Sequence, residues 1–241
     1  MLRILAAFIF FTRLPFWRLA EVPSEYFKNV VCRWALVGWL TAGLSVIVLY
    51  AASLILPASV AVLLAIVTRL LITGCLHEDG LADFFDGFGG GTSRERILSI
   101  MKDSHIGSYG VIGLILYFAL LYTLLSSLPL ALAGSAILAG DPFSKGVAGM
   151  IINRLSYARK EEEAKNKTVY SRMTTGEYTC CLFSALIPMC WLPKPIYFLA
   201  GLLPVTVCYF LTSLMKKKIQ SYTGDCWGAT FLLCGLCFYL G

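Results

Sequence analysis

The sequence predicts an all-α, polytopic transmembrane helix bundle with about seven spans and additional amphipathic helices at the membrane interface. Hydrophobic residues make up 58% of the 241 residues and charged residues only 14%, whereas soluble domains average about 25% charged residues. Long segments carry no charge, among them 34–57 and 111–140. A helix needs about 20 apolar residues to cross a bilayer core of about 30 Å, and its backbone satisfies its own hydrogen bonds there.

We place the predicted spans, in order, at 34–56, 58–76, 107–128, 130–152, 178–193, 195–215 and 226–240. The second contains Arg69, and the fourth contains Asp141 and Lys145. The apolar run 4–11, flanked by arginines, predicts an interfacial helix before the first span. No internal repeat or low-complexity linker interrupts the chain, so residues 1–241 are predicted to form a single integral membrane domain.

Basic residues are distributed unevenly between the connections of these spans. They precede the first span and recur in every second connection, and the connections between are nearly uncharged. The positive-inside rule then places the N-terminus and the basic connections in the cytoplasm. We therefore expect a multi-pass protein of the cytoplasmic (inner) membrane whose acidic and basic side chains gather on the cytoplasmic side.

The densest acidic cluster follows the second span, in residues 74–91. If this segment is helical, Asp79, Asp83 and Asp86 are four and three residues apart and share one face, with His77 and Glu78 one turn earlier. Clustered carboxylates repel one another unless a cation neutralises them, and such hard oxygen ligands suit Mg²⁺ or Mn²⁺ shared with substrate phosphates. The alternative is a solvated acidic loop that caps a helix end.

An amphipathic helix is predicted next, with Thr92 or Ser93 as its N-cap. Its cations, among them Arg96, suit phosphate binding and contact with lipid headgroups equally well. Lys102 and His105 then lie at the entrance to the third span, where backbone amides also favour anions.

Three further polar features are expected near the same side. Asp141 and Lys145 are four residues apart, so they form either a functional site inside the membrane or a structural pair. Arg159 belongs to the most basic connection, which is either a landing site for a polyanion or an ordinary cytoplasmic loop. Asp225, at the start of the last span, is either a helix cap or a fourth metal-binding carboxylate.

These residues alone predict metal-assisted phosphoryl or phosphodiester transfer at the membrane surface. The chain has no GxxxxGK[ST] loop, which argues against a nucleotide-driven pump. A phosphotransferase of the CDP-alcohol type expects an Asp-Gly-x-x-Ala-Arg signature, but here the alanine comes early and Asp83 replaces the arginine. A cation or metabolite transporter expects acids at mid-membrane, where only Asp141 is found.

The same segments resemble a known family. Residues 74–87, Gly-x-x-His-Glu-Asp-Gly-Leu-Ala-Asp-x-x-Asp-Gly, and residues 95–107, Glu-Arg-Ile-Leu-Ser-Ile-Met-Lys-Asp-Ser-x-Ile-Gly, resemble the cobalamin synthases, which are adenosylcobinamide-GDP ribazoletransferases. Residues 12–15, 157–159 and 223–229 are similar to further blocks of that family, in its order. The resemblance extends over the whole chain.

The resemblance implies a single transferase domain that uses Mg²⁺ as its cofactor. The 3′-hydroxyl of α-ribazole, or of its 5′-phosphate, is expected to attack the cobinamide-side phosphate of adenosylcobinamide-GDP. GMP leaves, and adenosylcobalamin or its 5′-phosphate forms. The expected partners are these substrates and the lipid bilayer, with a homo-oligomer or other corrinoid-assembly enzymes as further candidates and no nucleic acid.

Combined with this chemistry, the sequence suggests a role for each polar residue. Metal binding is assigned to Asp79, Asp83, Asp86 and Asp225, and catalysis to His77, Glu78 and Asp83, with His77 or a carboxylate as the base. Phosphate binding is assigned to Arg13, Arg96, Lys102, Lys145 and Arg159. Two positions depart from the family pattern, because His105 stands where arginine is common and Lys145 where we expect arginine, whose bidentate geometry lysine lacks.

Overall fold

The computed structural model describes residues 1–158 and 170–241, and the regular structure within these ranges is helical. The α-helices there are α1 Leu2–Phe11, α2 Trp34–Ser53, α3 Ala58–Thr73, α4 Leu76–Gly90, α5 Arg94–Ile100, α6 Ser108–Ser127, α7 Leu130–Gly149, α8 Thr175–Leu186, α9 Leu202–Lys218 and α10 Gly224–Leu240. Short 3-10 turns lie at Phe16–Arg18, Ser24–Asn29, Val31–Arg33, Met150–Asn153, Ile187–Trp191 and Pro195–Gly201. An isolated bridge joins Tyr157 and Tyr222. The all-α class is confirmed.

Several helices are long and apolar enough to cross a bilayer. Among the described residues, Val31–Ser53, Ser108–Ser127 and Pro195–Lys218 meet this criterion, and α3 with α4 forms a fourth candidate that is bent by 90°. A multi-pass helical membrane protein is therefore confirmed, whereas the count of seven spans stays a prediction. The predicted second span is too long, since α3 ends at Thr73 and the chain turns sharply before α4.

The turn between α3 and α4 depends on two residues in the left-handed backbone region. Gly74 has φ 63° and Cys75 has φ 58°. Glycine adopts this conformation without steric cost, so Gly74 allows helix α3 to end where the apolar span meets the acidic segment. Glu78 and Asp79 then fall in the first turn of α4, where negative charge is favourable to the helix dipole.

Helix α7 lies at the centre of the bundle and packs against α2, α8 and α10. Every residue from Ala139 to Gly149 is buried. The closest approach to α2 is at Gly38, where an added Cβ would lie 2.6 Å from the Cα of Pro142. Small residues allow such contact between membrane helices, so α7 keeps its charged side chains inside protein.

Helix α10 packs closely against α4, the acidic helix. A Cβ added to Gly80 would lie 2.9 Å from the Cα of Asp225, and one added to Gly228 would lie 3.1 Å from the Cα of His77. The contacts run in opposite chain order, so the two helices are antiparallel. This contact brings the C-terminal segment to the predicted metal-binding helix.

Candidate active site

The segment after α1 lies against the turn that starts the acidic helix. The backbone N–H of Arg13 donates a hydrogen bond of 2.7 Å to the carbonyl of Ile72, and the Arg13 side chain lies over Gly74. Its side chain is exposed. Arg13, a predicted phosphate-binding residue, is therefore placed beside the N-terminal end of α4.

Three of the predicted metal ligands lie at the contact between α4 and α10. Asp79 is exposed, and Asp83 and Asp225 are half-buried. The backbone of Asp225 rests on Gly80, which lies between Asp79 and Asp83 in the chain. All three acids also interact with other residues of the chain. The tertiary structure thus brings the start of α10 against α4, and the assignment of these acids to a metal ion stays a prediction.

Asp86, the fourth predicted metal ligand, has a different environment. Its Oδ2 accepts a hydrogen bond of 2.7 Å from the N–H of Gly107, and its Oδ1 accepts one of 2.9 Å from the N–H of Gly110. The residue is only 7% exposed. Both amides belong to the N-terminus of α6, so Asp86 caps that helix from a neighbouring one. Each oxygen thus accepts one amide hydrogen bond, which gives Asp86 a structural role, and its assignment as a metal ligand stays a prediction.

Glu78 is enclosed in the bundle and faces Arg69. It is 4% exposed, and its Oε1 lies 3.0 Å from the Arg69 Nη2. That contact lacks hydrogen-bond geometry, so the attraction is that of an ion pair. The same Nη2 donates a hydrogen bond of 3.0 Å to the hydroxyl of Tyr117 on α6. Glu78 therefore ties α4 to α3 and α6, which argues against the predicted direct catalytic role.

His77, the predicted base, is surrounded by aromatic rings. Its ring centroid is 5.0 Å from that of Phe231, 5.4 Å from Trp34 and 6.2 Å from Phe11. The residue is 3% exposed, and its Nε2 has no hydrogen-bond partner among the described residues. A substrate hydroxyl has no access to this nitrogen, so the structure favours a packing role over proton transfer.

Lys145 forms a buried charge cluster. Its Nζ lies 2.6 Å from Asp141 Oδ2 and 2.9 Å from Thr41 Oγ1, and 4.4 Å from the centroid of the Phe231 ring. The Thr41 hydroxyl also donates to that oxygen of Asp141. Lys145 is 0% exposed. The structure therefore supports a structural pair of Asp141 and Lys145 over a functional site. Lys145 has no surface accessible to a phosphate, although a phosphate-binding role was predicted for it.

A polar cavity of about 280 Å³ lies where the C-terminal end of α4 meets α5 and α6. Arg96, Asp103 and His105 line it, and Lys102 is exposed beside Asp103 in the chain. The Oδ1 of Asp103 accepts the backbone N–H of His105 at 3.0 Å and lies 2.7 Å from its ring Nδ1. These bonds lower the pKa of the Asp103 carboxyl. Two predicted phosphate-binding residues, Arg96 and Lys102, thus remain accessible.

The predicted cap of the amphipathic helix is also present. The Ser93 hydroxyl accepts a hydrogen bond of 3.2 Å from the backbone N–H of Arg96. This bond fixes the start of α5 and hence the position of Arg96 at the cavity. Arg159, the remaining predicted phosphate-binding residue, lies outside the described residues.

Arg69 forms an ion pair with Glu78 that was not predicted from the sequence. Its signal was present, because an arginine within an apolar span is rare unless it has a partner. The partner, Glu78, lies beyond the turn between α3 and α4, and its position becomes visible only in the folded chain.

The donor chemistry of the α4–α10 contact can be compared with the requirements of Mg²⁺. Within residues 1–158 and 170–241, no group of three or more His, Cys, Asp or Glu side chains is arranged to hold a metal ion by itself. Mg²⁺, however, is commonly bound by only one or two carboxylates, together with waters and substrate phosphates. A site of that shared kind needs only one or two of the acids Asp79, Asp83 and Asp225.

The amino-acid sequence matches one known protein family over nearly its whole length. The family model for cobalamin-5-phosphate synthase matches residues 3–241. The chain belongs to this family. Membership in the cobalamin-5-phosphate synthase family confirms the expectation of a transferase enzyme of cobalamin biosynthesis.

Curated relatives in the family match the chain over nearly its full length. A protein of Shewanella sp. (strain W3-18-1), named adenosylcobinamide-GDP ribazoletransferase, is 38% identical over 239 residues, covering 98% of this chain and 91% of the relative. Proteins of the same name from Shewanella frigidimarina and Shewanella oneidensis are 37% and 35% identical, covering 97% and 95% of this chain and 91% and 89% of the relatives. No solved structure matches the chain.

Proposed function

We propose that this chain is an Mg²⁺-dependent adenosylcobinamide-GDP ribazoletransferase of the cytoplasmic membrane, with its N-terminus and active site on the cytoplasmic side. The 3′-hydroxyl of α-ribazole, or of its 5′-phosphate, attacks the cobinamide-side phosphate of adenosylcobinamide-GDP. The bond from that phosphate to GMP breaks, and adenosylcobalamin or its 5′-phosphate forms. The orientation rests on the uneven distribution of Lys and Arg between the connections.

The observation that carries the proposal is the acidic face at the α4–α10 contact, next to an exposed arginine. The backbone of Asp225 rests on Gly80, which lies between Asp79 and Asp83 in the chain, and Arg13 lies over Gly74 in the turn before α4. A divalent cation bound by such carboxylates neutralises the charge that develops on a diphosphate as it is split. The carboxylates would hold the cation in place, and the Arg13 guanidinium offers its N–H donors to the phosphate oxygens.

The second group of cations lies at the opposite end of α4. Helix α4 has 15 residues, which corresponds to a length of about 22 Å. Arg13 is near its first residue, and Arg96 and Lys102 are near its last. The attacking 3′-hydroxyl and the 5′-phosphate of the acceptor belong to one ribose and lie much closer together than this. We therefore assign the reacting diphosphate to the Arg13 end, and the phosphate-binding role of Arg96 and Lys102 stays a prediction.

Among the predicted proton acceptors, Asp83 is the one that the structure favours. His77 is enclosed by aromatic rings and Glu78 is paired with Arg69. Asp83 is half-buried. A carboxylate there is positioned to accept the proton of the attacking hydroxyl when it is not bound to the metal ion.

The family match favours this function over the two alternatives that the sequence left open. It is the family of cobalamin-5-phosphate synthases and not that of CDP-alcohol phosphotransferases. The buried ions Asp141 and Lys145 neutralise each other, so they offer little to a transported ion.

The deciding experiment uses the purified protein in liposomes with adenosylcobinamide-GDP, α-ribazole and MgCl₂, and separates the products by chromatography. We expect GMP and adenosylcobalamin in equal amounts, only when both substrates are present. EDTA should stop the reaction and added Mg²⁺ should restore it. Glu21→Gln, which removes an exposed carboxylate outside the proposed site, serves as the matched control and should react like the unmodified protein. A folded protein that releases no GMP under these conditions would exclude the proposed activity.

A further inference from the structure

An apolar groove lies beside α7, the central helix of the bundle. It runs between α7, α8 and α9 and has a volume of about 590 Å³. Its walls include Val147, Ile151, Leu186, Met189 and Val205. None of the residues that we assign to the transfer reaction lines it. This volume is within the usual range of ligand sites, about 300–1,000 Å³.

Arg154 is the only charged residue among the described residues that line the groove. It directly follows the 3-10 turn Met150–Asn153 and is exposed. No carboxylate in the part of the chain that the structure describes forms an ion pair with it. An apolar groove with one guanidinium that no described carboxylate pairs with is complementary to an amphiphile that carries an anionic group.

The other polar side chains in the lining, Thr206, Cys208 and Tyr209, carry no charge and do not alter this complementarity. The Thr206 hydroxyl donates a hydrogen bond of 2.9 Å to the carbonyl of Leu202 in its own helix, so its donor is already used. The groove therefore offers a ligand apolar contact and one strong anion-binding group. Arginine suits phosphate in particular, because its planar donors match two phosphate oxygens.

The groove also opens toward the expected position of lipid. Its α9 wall belongs to Pro195–Lys218, one of the helices long and apolar enough to cross a bilayer. Leu202, Val205 and Tyr209 line the groove and are exposed to the surroundings of the bundle. In a bilayer, those surroundings are acyl chains, so a lipid enters without leaving the hydrocarbon phase.

We propose that this groove is a binding site for one anionic phospholipid. One acyl chain lies between α7 and α9, and the phosphate group contacts Arg154.

The test measures lipid binding by native mass spectrometry of the whole protein in detergent. The probes are phosphatidylglycerol, which is anionic, and phosphatidylcholine, which is zwitterionic, with identical acyl chains. We expect one phosphatidylglycerol to bind at least about tenfold more tightly than phosphatidylcholine. Arg154→Gln should remove this preference, and Val205→Trp, which fills the groove, should weaken binding of both lipids.

Lys216→Gln is the matched control, because it removes an exposed cation from α9 outside the groove. It should leave the preference unchanged. Equal loss in Lys216→Gln and Arg154→Gln would mean that general surface charge attracts the lipid, and would overturn the proposal. An unchanged lipid preference in Arg154→Gln would also overturn the proposal. Cross-linking that places a second copy of the chain in a lipid-free groove would overturn it as well. Arg154 is exposed, so this variant decides the question even if Val205→Trp does not fold.

Discussion

The buried ion pair between Arg69 and Glu78 gives a quantitative prediction. At the observed separation of 3.0 Å, two unit charges attract by about 5 kcal/mol at an effective dielectric constant of about 20. Desolvation of the two ions costs several kcal/mol each, so the pair as a whole contributes little net stability. Removing one partner is different, because the other charge is then left buried without compensation.

We therefore expect Arg69→Met and Glu78→Gln each to lower the free energy of unfolding by about 3–5 kcal/mol. The double variant should lose clearly less than the sum of the two, because no uncompensated ion remains. For a chain of this length, 1 kcal/mol corresponds to about 2–4 °C in Tm, so each single variant should melt about 10 °C lower. Arg94→Met removes an exposed arginine and should change stability by less than about 0.5 kcal/mol.

Reversible unfolding in detergent, followed by circular dichroism, measures all four variants and the coupling energy between the two positions. If the single losses are additive in the double variant, the ion pair does not exist in the folded protein. Single variants as stable as Arg94→Met would likewise show that Glu78 is solvated, and would return it to the candidates for direct catalysis.

Three further predictions test the assignments at α4. Asp83→Asn should lower turnover at least about 100-fold, the usual contribution of an acid–base group, with unchanged expression and Tm; near-normal turnover would exclude Asp83 from the reaction. Asp86→Asn should lower stability by about 1.5–3 kcal/mol through weaker bonds to the α6 amides, while the Mg²⁺ concentration for half-maximal rate stays the same; a raised Mg²⁺ requirement would show that Asp86 binds the metal ion. His77→Phe should keep turnover within about threefold of the unmodified protein, because the ring packs against other aromatic rings. A loss of about 100-fold or more would instead indicate a general base.

Much of the architecture follows from the sequence. The scarcity of charge and the long apolar segments are sufficient to predict an all-α membrane bundle, because a helix is the only way for a single segment to satisfy its backbone in hydrocarbon. Local signals narrowed the cap of α5 to Thr92 or Ser93, and the structure shows that it is Ser93. The blocks around residues 74–87 and 95–107 were sufficient to predict the family.

The roles within the acidic helix were decided by the tertiary structure. Helical spacing correctly places Asp79, Asp83 and Asp86 on one face, but it does not tell which part of that face another helix covers. Helix α6 covers only its C-terminal part, so Asp86 binds backbone amides while Asp79 stays exposed.

The same reason applies to the partners of residues that are distant in the chain. Arg69 meets Glu78 because the chain bends by 90° between α3 and α4, and Asp225 meets α4 because Gly80 allows the closest approach there. The sequence by itself determined which side chains carry charge and which helix faces they occupy. Only packing decided which of those charges are neutralised inside the bundle and which remain available to a substrate, because burial is a property of the covering helix and not of the residue.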